Sequence, residues 1–106
     1  MGRRQTQNIT AVIYDKKGRV LSLGKNSYIK THPKQAKHAS KVGLPHKIYL
    51  HAEMDAIIRC RDLSRAHKIV VTRLTRRGKY GNAEPCPVCQ SAIKEAGIKN
   101  VEWTCD

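Results

Sequence analysis

Phenylalanine is absent from this chain of 106 residues, and aromatic residues make up only 5% of it. Any core must therefore be filled by aliphatic side chains, for which the 40% hydrophobic content suffices. Tyr28, Tyr49, Tyr80 and Trp103 form no obvious platform for stacking successive bases. No apolar run approaches the ~20 residues of a membrane span, which excludes a spanning helix. The basic start Met1-Gly2-Arg3-Arg4-Gln5 has no apolar stretch behind it. A secretory leader is therefore not expected, and the expected setting is cytoplasmic. In that setting the four cysteines read as metal ligands or free thiols, not as disulfides. Repeats, linkers and low-complexity stretches are also lacking, so residues 1–106 are expected to form one domain.

Acidic residues are scarce: 8 Asp+Glu stand against 21 Lys+Arg, for a net charge of +13. The deficit is uneven. From Lys16 to Ala52 there is no Asp or Glu, while nine Lys or Arg occur. Such a surplus predicts attraction to anions, whether a nucleotide phosphate or a nucleic-acid backbone. The plain alternative is a solvated basic surface that keeps the protein soluble.

What is present reads as alternating strands and helices. Ile9–Tyr14 is rich in strand formers, Asp15-Lys16-Lys17-Gly18 is a turn, and Arg19–Leu23 alternates, which together predict a hairpin. Gly24-Lys25-Asn26 closes the second strand. Residues 27–50 read as a basic loop with a short helix within 35–42, between Pro33 and Gly43. From His51 to about Arg61 the positions Met54, Ile57, Ile58 and Arg61 follow helical spacing. Lys68–Leu74 carries Ile-Val-Val and reads as a buried strand, and Thr75–Glu84 as a polar loop. Pro87–Ala96 is a second helix, with Pro in its first turn and Gly97 as its stop. Lys99–Thr104 is a last short strand. The order is β-β-α-β-α-β, an α/β fold with a mixed β-sheet: a hairpin beside parallel strands, with helices carrying the motifs described next.

Two motifs carry chemistry. In Pro85-Cys86-Pro87-Val88-Cys89, two cysteines three apart open a helix, so both sulfurs can face one ion. The unpaired N–H groups and the dipole of that helix end favour thiolates. His51 opens the other helix and offers a third ligand. Two residues on, the Glu53 carboxylate can move protons to and from a water activated by Zn2+. Each motif alone is common, since P-C-x-x-C also builds structural zinc knuckles and redox pairs. The two together, in this order and each opening a helix, are far more specific. A structural zinc wants a fourth protein ligand. Cys60 and Cys105 could supply one, but read better as packed or free thiols.

H-x-E followed by P-C-x-x-C is the signature of the zinc-dependent nucleobase deaminases. On His51-Ala52-Glu53 and Glu84–Cys89, with Gly24-Lys25-Asn26 as a G-x-N at the end of the second strand, the chain resembles the cytidine deaminase superfamily. The resemblance spans about residues 9–104, and the stretch from Leu50 to Thr104 looks most like small phage-type deoxycytidylate deaminase-like proteins. It implies Zn2+ held by His51, Cys86 and Cys89, with Glu53 as the catalytic acid and base. It also implies substrate contacts from Asn26 and from the backbone of Ala52, and conversion of a cytosine base to uracil. Family members assemble so that subunits complete one another's sites, which implies a homo-oligomer. Some carry a second zinc, for which His32, His38 and His46 are the candidates. A mononucleotide such as deoxycytidylate is the expected substrate. One rival reading is a deaminase of cytosine or adenine within single-stranded DNA or RNA. Another is a non-catalytic basic nucleic-acid-binding module with structural zinc.

Overall fold

A computed structural model of the chain describes residues 8–26, 36–37, 40, 51–74 and 78–105. Most of the predicted 27–50 segment, with His32, His38 and His46, lies outside the described residues. So does the predicted 35–42 helix except for Ala36, Lys37 and Ser40, which are helical.

The hairpin forms as its composition dictates. β1 (Asn8–Tyr14) and β2 (Val20–Lys25) pair antiparallel, from Thr10↔Lys25 to Tyr14↔Val20, with a bulge at Ile13/Tyr14. The turn between them closes on Asp15, whose carbonyl accepts from Gly18 N–H at 3.0 Å. β3 (Lys68–Leu74) pairs antiparallel with β1 along its whole length, Asn8↔Leu74 to Tyr14↔Lys68. Its other edge is shared. β5 (Asn100–Trp103) runs parallel along the first half, Lys68↔Asn100 to Val71↔Trp103, and β4 (Tyr80–Gly81) pairs antiparallel at the end. The sheet is therefore mixed, with the order β2-β1-β3 and then β5 and β4 together.

Two helices complete the fold. α1 (Ala52–Arg59) packs across β2 and β1, and α2 (Pro87–Ala96) packs against α1. Ala11, Ile13, Ile69 and Val71 turn to the helices from alternate strand positions and meet Met54, Ile57 and Ile93. Ile13 and Met54 are wholly buried. Each such side chain contributes about 1.5–3 kcal/mol by leaving water. α2 stops at Gly97 in a left-handed conformation (φ 80°), whose N–H and that of Ile98 bond back to Lys94 and Ile93 carbonyls.

Two differences from the sequence reading trace to tertiary neighbours. α1 ends at Arg59, not near Arg61, because Cys60 turns to extended backbone and a short 3₁₀ turn follows at Leu63–Arg65. Arg61 therefore leaves the helical pattern and is exposed, while Cys60 caps the helix and is buried. The predicted 75–84 loop contains the two-residue β4, whose length is too short to carry a periodic signal.

Candidate metal centre

β2 reaches unusually close to the start of α1, and a missing side chain permits it. A Cβ on Gly24 would stand 2.3 Å from both the Ala52 carbonyl oxygen and the Ala56 nitrogen. Two further bonds tie strand to helix, and a third within the helix holds the second of these in place. Ser22 Oγ donates to the Ala56 carbonyl at 2.7 Å, Lys25 N–H donates to Asp55 Oδ2 at 3.0 Å, and Arg59 Nε donates to Asp55 Oδ1 at 3.0 Å. Asp55 is thus buried with its oxygens engaged, and it holds the end of β2 over the helix start.

His51 is the N-cap residue of α1. Its extended backbone carries the first helical bond, from Asp55 N–H at 2.9 Å, while its ring makes no cap. Cys86 plays the same part for α2: extended backbone, a carbonyl accepting from Gln90 N–H at 2.9 Å, and a thiol that makes no cap. The approach to Cys86 is fixed by an Asx turn, in which Asn82 Oδ1 accepts from Glu84 N–H, and by Gln90 Nε2 donating to the Pro85 carbonyl. Cys89 follows one turn into α2 and is fully buried.

The two helix starts bring their side chains together. His51 Nδ1 lies 3.3 Å from Cys89 Sγ and 3.5 Å from Cys86 Sγ, and the three donor atoms all lie within 4.8 Å of one another. Zinc bonds of about 2.0–2.1 Å to nitrogen and about 2.3 Å to sulfur give tetrahedral N···S edges of roughly 3.5 Å. The cluster matches those edges, and one imidazole with two sulfurs is a donor set that zinc favours. Among the described residues, no fourth His, Cys, Asp or Glu joins the cluster, and neither Cys60 nor Cys105 belongs to it.

The electrostatics suit a cation. A hydrogen bond with Cys89, with help from the His51 ring and against the effect of burial, draws the Cys86 thiol down to about 3. That same bond, then burial, then the Glu53 carboxylate push the Cys89 thiol up. Glu53 lies beside them on the first turn of α1 and is 6% exposed. Burial raises its carboxyl above the usual range, with its own N–H and His51 opposing.

The two remaining predicted residues are also at this end. Ala52 is wholly buried at the first helical position, where a backbone N–H has no acceptor within the helix. Asn26 stands just past β2, and its Oδ1 accepts from Ile9 N–H at 3.2 Å, which anchors the side chain at the strand end. Sequence reasoning missed Asp55 and the physical role of Gly24. The signal for Gly24 was its glycine at a strand end, whereas nothing local marks Asp55 as buried.

The sequence profile of the cytidine and deoxycytidylate deaminase zinc-binding region matches residues 2–105. The chain belongs to this family, and the α/β fold and the His/Cys/Cys cluster agree with a zinc-dependent cytidine deaminase. No curated protein matches the chain. None of its described helices is long and apolar enough to cross a membrane.

Proposed function

We propose that this protein hydrolyses the amine from the cytosine of a mononucleotide such as deoxycytidylate, with His51, Cys86 and Cys89 holding Zn2+ and Glu53 moving the protons. The observation that supports it most is the convergence of three metal donors beside one buried carboxylate, where two helices begin. Bound zinc supplies Lewis acidity and lowers the pKa of a water. Glu53 would accept one proton from the attacking water as its oxygen bonds to C4 of the ring, and would pass it to N3. It would then take the second proton from the new C4 hydroxyl and deliver it to the amine as the C4–N bond breaks, leaving uracil and ammonia. The Ala52 N–H and the Asn26 side chain hold the base and sugar in register. The exposed Lys25 at the end of β2 and the positive ends of the two helices suit a single phosphate, which needs only one to three such contacts.

A panel of cytidine, deoxycytidine, their monophosphates, single-stranded DNA and RNA, assayed for ammonia release, tests this reading. Deoxycytidylate should be the best substrate, and removal of its phosphate should cost most of the activity. Glu53→Ala should keep its zinc and fold while losing about 10²–10⁴-fold in turnover. An unaltered rate in that variant refutes the role given to Glu53. A clear preference for a polymer moves the substrate to nucleic acid, the reading favoured by the +13 charge.

A further inference from the structure

The other end of the sheet carries a second feature that deamination does not use. β2 runs from the β1–β2 turn to the start of α1. α1 and the Leu63–Arg65 turn then lead the chain back, so that Arg65 Nη2 reaches Asp15 Oδ2 at 3.3 Å. A cavity of about 340 Å³ lies there, lined by Lys16, Lys17, Arg19, Arg65 and His67 around Asp15. From the length of the six-residue β2, it stands roughly 15–20 Å from the metal cluster.

This basic cavity is built, not merely exposed. Asp15 is 5% exposed, and its carboxylate is saturated: Oδ1 accepts from the N–H groups of Lys17 and Arg19, and Oδ2 from the guanidiniums of Arg19 and Arg65. It therefore fixes two half-exposed arginines in place while cancelling only one of four cationic side chains. The side chains of Lys16 and Lys17 make no ion pair or hydrogen bond among the described residues. His67 is tied across to β5 through Asn100 Nδ2, at 3.0 Å from its Nε2. Four cationic side chains from two chain segments, the β1–β2 turn and the Leu63–Arg65 turn, line one cavity, more than a single phosphate needs, and suit a chain of phosphates.

We propose that this cavity is a docking site for the phosphate backbone of a nucleic-acid strand, separate from the metal centre and independent of which substrate that centre takes. The strand lies across Lys16 and Lys17, with Arg19 and Arg65 gripping a phosphate.

Anisotropy of a labelled single-stranded 20-mer, titrated with the full chain at several salt concentrations, tests the proposal. Lys16→Gln/Lys17→Gln and Lys94→Glu each lower the net charge by two, but Lys94 is an exposed residue of α2. The double variant should weaken binding at least tenfold and flatten the slope of log K against log salt by about 1.5, the share of two phosphate contacts. Lys94→Glu should change affinity by less than twofold. Equal weakening in both variants means that only net charge acts, and overturns the site. Absence of binding by the parent at low salt overturns it too. Displacement of the strand by tripolyphosphate, phosphate for phosphate, overturns the strand in favour of a small polyphosphate.

Discussion

Asp15 shows how much one carboxylate can organise. The Arg19 N–H, with the Arg19 guanidinium and the Lys17 N–H, holds its carboxyl below the ordinary Asp value against the opposing effect of burial. A depressed folded-state pKa stabilises the native state fully above the unfolded value of about 3.9, and that stability is lost as pH falls through the folded value. Asp15→Asn keeps the shape but removes the charge. Thermal melts of parent and variant from pH 7 to pH 2.5 should show the parent more stable at neutral pH, with the gap closing only below about pH 4. A gap that is constant with pH shows that the charge contributes nothing. At this scale the candidate site was largely legible. His51, Glu53, Cys86 and Cys89 announce themselves because ligand chemistry demands those residue types at those spacings. Asp55 was not legible, because its worth lies in a Lys25 N–H that comes near only when β2 lies on α1.

Between elements, the tightest constraint is the contact of β2 with α1 at Gly24. A methyl group there would meet backbone atoms, which cannot step aside as a flexible side chain can. Gly24→Ala should therefore cost roughly 1–3 kcal/mol or more, lowering the melting temperature, and it should shift His51 enough to weaken zinc retention. Metal analysis and a melt on the purified variant check both. A variant as stable and as metal-rich as the parent contradicts the close packing. The predicted bounds of β3 and α2 agree with the structure, since Ile69-Val70-Val71 and the Pro87 and Gly97 punctuation act within the elements themselves. β4 exists only because β3 offers Arg73 and Leu74 as partners, and α1 stops early because Cys60 and Leu63 turn inward to the core. Such outcomes depend on tertiary neighbours that a local pattern does not contain.

Across the whole molecule, the donors of the metal cluster come from residues 35 and 38 positions apart in sequence. Bound zinc is therefore also a cross-link. It pins α1 to α2 and closes the long loop that contains β3 and β4, a constraint the unfolded chain is free of. Affinity for the folded state alone becomes stability by mass action, about 2.7 kcal/mol when free zinc is a hundredfold above its Kd. For a domain of this length, stripping the metal with a chelator should lower the melting temperature on the order of 10–20 °C, and returning zinc should restore it. Glu53→Ala should show the same drop, since it leaves the cross-link in place. A melt indifferent to chelator would mean that the two helices hold together without it. Under zinc limitation, the population of folded protein, and not only its activity, is thus set by the supply of metal.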